Sequence, residues 1–286
     1  MPQPTPSQEI ERFLCTGQHD MFGAAWPGKT VTETAVTANA ALREALVTAV
    51  LSRTRHAILP AIIDATDLIA TTRNKVRPMV HGLFPAHEQP IVLDVLARSV
   101  VYLTPGNIEA ILRHEMHLHT AWCLANLYLL SCDVAPLSAA APEIIGLSRA
   151  TTYFVSMQYF RGSDRFDDVV VHEAAHIFHN CKRERIGLKA TRRREWLLEI
   201  AFGKRDTFAY ACEALSRIHA LGPSADVRRR LLSDVEAGPM PSDTSVDADE
   251  FIDILPEAVS ARNGWKRILQ RCAPPEHRAT AMGAPT

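Results

Sequence analysis

The sequence predicts an α+β fold, predominantly helical, with one short sheet. Two patterns carry that expectation. Apolar residues recur at three- and four-residue spacing over long stretches, and residues 151–160 are rich in β-branched and aromatic side chains. A chain of 286 residues with 47% hydrophobic side chains suits one or two ordinary domains with a sizeable core. The net charge of -1 gives no general attraction to nucleic acid, and no apolar run reaches the ~20 residues of a membrane span. Neither nucleic acid nor membrane is an expected partner.

Residues 1–7 read as a Pro-rich polar tail without the basic and apolar regions of an export signal. The six cysteines (Cys15, Cys123, Cys132, Cys181, Cys212, Cys272) are scattered, which suits reduced thiols in a cytoplasm. Residues 23–30 match the phosphate-loop pattern G-x-x-x-x-G-K-T, with Lys29 as its lysine. No β-branched apolar run precedes it and Pro27 has no N–H to offer a phosphate, so a turn before a helix is expected instead.

Residues 33–55 have helical periodicity through Ala38, Leu42, Leu46 and Val50, with Arg43, Glu44, Arg53 and Arg55 on the wetter side. Pro60, Pro78, Pro85 and Pro90 should break long helices between 57 and 90. Residues 91–101 fit a strand or a buried helix equally. A helix is expected over 108–130, carrying His114, Glu115, His117 and His119 on a half-wet face; a second metal site there is the lesser reading. Residues 151–160 form the strand. The basic residues 182–185 and 192–194 read as solvated surface, more than as a patch for an acidic ligand. A helix over 191–202 should stop at Gly203, and Asp206 or Thr207 should cap another that runs to His219. A loop at 237–243, a helix over 251–269 and a frayed tail from 272 complete the chain. The expected organisation is a helical lobe over 1–105, a metal-binding core over 106–235, and a C-terminal helix with a tail over 236–286.

Chemistry concentrates at His172-Glu173-Ala174-Ala175-His176, in a helix-like run opened by Asp167 and Asp168, whose carboxylates favour a helix N-terminus. On a helix, His172 and His176 lie on one face, one turn apart. That spacing lets two imidazoles bind one zinc ion, with Glu173 beside the open coordination position as general base. His179 follows on the same face. His172 and His179 are about 10 Å apart along the axis, too far to share an ion, so His179 is expected to pack behind the site.

The motif, with a strand just before it, resembles the zincin metallopeptidases over residues 150–220. The metzincin branch is disfavoured, because His179 and Lys182 stand where it carries glycine and histidine. The gluzincin-like branch draws its third ligand from a carboxylate on a later helix, often in a segment like Glu-x-Phe-Ala. Here that place holds Asp206-Thr207-Phe208-Ala209, with Glu213 further on. Glu213 is the usual residue type and ranks slightly ahead of Asp206; Glu195 and Glu199 come third. Tyr210 shares a stripe with Glu213 and is a candidate donor to a developing oxyanion.

The resemblance implies a zinc hydrolase that cleaves a peptide or protein substrate through zinc-bound water, within a zincin-like core roofed by the N-terminal lobe; the cysteines place it in a cytoplasm. One alternative is a deformylase-like amidase with Cys132 as ligand. Another is a helical interaction protein in which Glu173 is dispensable.

Overall fold

The computed structural model describes residues 4–57, 67–141, 144, 146–149, 151–161, 165–241 and 245–275. Pro60 and the tail beyond 275 lie outside them, as do parts of the expected loop at 237–243 and of the N-terminal polar segment. Among the described residues the fold is predominantly helical, with eleven α-helices and a three-stranded sheet. The first four helices are α1 (Pro6–Thr16), α2 (Val31–Thr54), α3 (Leu68–Leu83) and α4 (Gln89–Ser99). Strand β1 (Val100–Tyr102) leads to α5 (Ile108–His114) and α6 (Leu118–Ser131), then to β2 (Gly146–Arg149) and β3 (Thr152–Val155). The remainder is α7 (Val169–Asn180), α8 (Arg205–Leu221), α9 (Ala225–Glu236), α10 (Ala248–Ser260) and α11 (Gly264–Cys272). The strands pair in the order β1-β3-β2. Among the described residues no helix is long and apolar enough to cross a membrane.

The chain divides into two compact units. The first comprises Met1–Ala65, Tyr102–Leu147 and Phe154–Arg161, and α6 is its centre. Leu118, Trp122, Leu124, Ala125, Leu127 and Leu129 are all buried, so this helix is apolar around its whole circumference. Asn126 is tolerated inside because it donates to Trp122 O and accepts from Leu137 N. Helix α2 packs on α6 with Ala38, Leu42, Leu46 and Val50 facing inward, as their periodicity predicts.

Four local features of this unit differ from, or decide between, the sequence expectations. The N-terminal polar segment becomes a helix at Pro6, because Thr5 and Gln8 form a reciprocal capping box. Residues 23–30 are a turn with no strand before it; Gly23 takes the left-handed backbone, and Thr30 caps α2 by accepting from Glu33 N. The helix expected over 108–130 breaks at Glu115, whose backbone is extended and whose carboxylate accepts from His117 N. The strand expected through 160 ends at Val155. Ser156 turns the chain by accepting from Gln158 N, and Tyr159 and Phe160 leave the ladder to pack on Tyr102.

The second unit comprises Thr66–Val101, Ser148–Tyr153 and Gly162–Thr286. Helix α7 packs against α8, α3 and α4, and α8 carries α9, α10 and α11. Phe178 of α7 is buried between Phe84 and Phe208. Pro78 does not break its segment, since α3 runs through it for sixteen residues. Residues 91–101 are both of the expected forms in succession, a buried helix and then β1.

The helix expected over 191–202 is absent. Glu199 instead accepts from the backbone N–H groups of Glu195 and Trp196, and Leu197 and Leu198 donate to Cys181 O and Phe178 O. These bonds fold the segment back onto α7 as irregular chain. Neither Asp206 nor Thr207 is the cap of α8: Lys204 occupies that place and Asp206 sits in the first turn. The helix expected over 251–269 is two helices, with Asn263 capping α11. Gly264 is needed at this junction because a Cβ there would meet Ala258 O. Within the basic segment Arg183 is buried on Glu88, while Arg192 and Arg193 are exposed.

Candidate metal centre

Helix α7 places His172 and His176 one turn apart on one face, with Val170, Val171, Ala174 and Phe178 buried on the other. Their Nε2 atoms stand 3.1 Å apart. Glu213 of α8 lies behind His172, its Oε2 3.2 Å from Nδ1, while its Oε1 accepts from Asp168 N at 2.5 Å. A carboxylate only accepts, so Nδ1 of His172 carries the hydrogen and a neutral His172 turns its Nε2 lone pair toward His176. Two nitrogens at this distance can share an N–H hydrogen, with His176 donating to His172, or can turn both lone pairs toward one metal ion.

His179 stands behind His176, with its Nε2 3.5 Å from Nδ1 of His176. Burial, with His176 and Arg205 nearby, pushes the His179 imidazole down to about 3, so it is neutral. His172 moves the other way. Burial alone would lower it, but the hydrogen-bonded Glu213 carboxylate, with Glu173 and Asp206, raises it.

Asp206 projects from the first turn of α8, with Oδ1 3.6 Å from Nε2 of His176. The two carboxylates ranked from sequence therefore hold different places: Asp206 faces the nitrogen between the histidines, and Glu213 faces the nitrogen behind them. Glu195 pairs with Lys182 and Glu199 caps a turn. Cys132 is in the first unit, where burial pushes its thiol up.

Glu173 is half-buried beside the pair. Burial pushes its carboxyl up, and a hydrogen bond from Ser148 Oγ only partly opposes this. Tyr210 packs edge-on against His172, with ring centroids 4.4 Å apart. A pocket of about 420 Å³ opens beside Tyr210 and Glu213, walled by Phe166, Val235, Met240 and Phe251.

Two contributors escape sequence reasoning. Ser148 lies on β2, which has no β-rich signature in the sequence. Lys75 reaches Asp168 Oδ2 at 2.6 Å from a helix ninety-three residues upstream. Asp168 is visible as a helix-start carboxylate; its use as an anchor for Lys75 and Glu213 is not.

Among the described residues, no three His, Cys, Asp or Glu side chains are gathered as a complete metal-ligand set. The histidine pair nonetheless passes a direct test of fit. Two nitrogens each about 2.0–2.1 Å from a tetrahedral zinc ion stand about 3.4 Å apart, close to the separation of the Nε2 atoms. No family model, curated protein or solved structure matches the chain.

Proposed function

We propose that this chain is a zinc-dependent hydrolase of the zincin type, a metallopeptidase acting on peptide or protein substrates in a cytoplasm. One observation carries the reading: the facing Nε2 atoms of His172 and His176, each backed on its outer nitrogen by a polar side chain. Metal-binding histidines are held this way, because the outer hydrogen bond fixes ring orientation and tautomer.

The residues that would hold zinc are His172, His176 and Asp206. This reverses the order suggested by the sequence. Glu213 has one oxygen on His172 Nδ1 and the other on the Asp168 N–H, so it serves by orienting His172. Zinc bound here would supply Lewis-acid polarisation of a carbonyl and acidify water.

Glu173 is the base. Burial raises its carboxyl above the ordinary value, which makes it a stronger proton acceptor. Ser148 holds one of its oxygens and leaves the other for substrate chemistry. Tyr210 braces the His172 ring and is the proposed donor to charge that develops on the substrate oxygen. The adjoining pocket, walled mainly by apolar side chains, would receive a substrate side chain. The six cysteines, all free, suit a reducing compartment.

The test is hydrolysis of a mixed peptide library by zinc-loaded protein. Cleavage by the wild type, abolished by chelator and by Glu173→Gln, supports a peptidase. Activity that survives Glu173→Gln removes Glu173 as base, and no cleavage by the zinc-loaded wild type returns the chain to the helical interaction reading.

A further inference from the structure

A second concave site lies in the same unit, away from the histidine motif in sequence. It is a cleft of about 530 Å³ between the end of α3, the end of α8 and the start of α11. Its walls carry His81, His219, Arg262, Lys266 and the Trp265 indole, and no aspartate or glutamate. Burial lowers the His219 pKa, and the nearby Arg228 charge lowers it further, which places another cation on this side.

The backbone gives the cleft its form. Gly82 admits the Trp265 indole against its Cα, because a Cβ there would collide with the ring. Asn263 then locks the corner, donating to Gly82 O at 2.9 Å and accepting from Lys266 N at 3.1 Å. Trp265 stacks on His219 with ring centroids 6.3 Å apart.

Arg262 and Lys266 are exposed at the cleft, and among the described residues neither is in an ion pair. The cleft therefore offers charged and neutral donors from three elements and no acidic acceptor. Its complement is a small oxyanion, and phosphate, with several acceptor oxygens, matches a wall of this kind. The volume exceeds that of a bare phosphate and falls in the range of small-molecule sites, about 300–1,000 Å³.

We propose that this cleft binds the phosphoryl group of a small phosphorylated metabolite, held by Arg262 and Lys266 against the wall that Trp265 forms. Because it uses none of the residues proposed to hold zinc, it stands or falls independently of the hydrolase reading.

The test follows the indole N–H signals of the full chain by NMR during titration with inorganic phosphate, glycerol 1-phosphate and adenosine monophosphate. One indole signal should shift saturably, and it should be the signal missing from Trp265→Phe. Arg262→Ala and Lys266→Ala should each weaken binding by roughly 10-fold or more, as loss of a charged hydrogen-bond donor implies. Lys266→Arg should retain binding, and zinc content should be unchanged in all of them. Tighter binding of an organic phosphate identifies the physiological ligand as an ester; equal binding identifies the phosphate group alone. The proposal is overturned if no indole signal moves at tens of millimolar phosphate, or if the Arg262→Ala/Lys266→Ala double variant binds as well as wild type.

Discussion

The chain carries two histidine clusters of similar density, and the structure treats them oppositely. On α7, His172, His176 and His179 share one face of an unbroken helix, and each of the first two has a polar partner behind it. At 114–119 the helix is interrupted, and the side chains disperse. His114 Nδ1 lies 2.7 Å from Ala110 O in its own helix. His119 Nδ1 lies 3.2 Å from Gly17 O, and its other nitrogen lies near Cys123 Sγ. Spacing in sequence becomes geometry only where the helix runs through it. A carboxylate arriving from another element then decides whether facing nitrogens serve chemistry or packing.

The largest expected effect is at Glu173. Exchange for Gln should leave zinc in place and lower peptide hydrolysis by roughly 10²-fold or more, measured as kcat/KM on a cleaved peptide. In the other cluster, Glu115→Gln should leave activity unchanged, since that carboxylate accepts from the His117 N–H at a helix break in the first unit.

Next in size is the contrast between the two carboxylates of α8. Asp206→Ala should lose zinc to a chelator as readily as His176→Ala. Glu213→Ala should weaken zinc by only ~10–100-fold, the usual consequence of losing a group behind the ligand. It should also destabilise metal-free protein by about 1–3 kcal/mol, because the buried Asp168 N–H loses its acceptor. If Glu213→Ala strips the metal and Asp206→Ala does not, the assignment is inverted and Glu213 is the ligand.

These carboxylates also mark where sequence reasoning ended. The motif and the face shared by His172 and His176 were legible from spacing alone. The direction from which a carboxylate meets an imidazole was not, because it depends on how α8 packs on α7. Residues 191–202 show a second limit. Their periodicity suits a helix, yet the Glu199 carboxylate and the backbone of α7 offer the same N–H groups better partners. At 115–117 and 261–263 a run of periodic residues hides a break, since extended Glu115 and the Asn263 cap need no glycine or proline to end a helix.

A smaller effect separates the scaffold from the site. Glu250 on α10 joins Lys204 and Arg271. Burial alone would raise its carboxyl, but hydrogen bonds from Arg271 and Lys204 hold it below its ordinary value. A group depressed in the folded state stabilises above its unfolded pKa, about 4.3, and the gain fades as pH falls through the folded value. Glu250→Gln should therefore lower the melting temperature at neutral pH, and the gap from wild type should narrow on acidification below about pH 4.3. A gap that widens on acidification contradicts the pairing.

The smallest effect belongs to the dispersed cluster. His119→Ala removes a bond to Gly17 O and should cost about 1 kcal/mol in denaturant unfolding, with hydrolysis unchanged.

Elemental analysis of purified protein tests the central claim most directly, comparing wild type with His176→Ala and His119→Ala. The account predicts about one zinc per chain in wild type and in His119→Ala, and little in His176→Ala, since two histidines and a carboxylate describe a single site. Equal zinc in all three, or zinc lost only from His119→Ala, would contradict it.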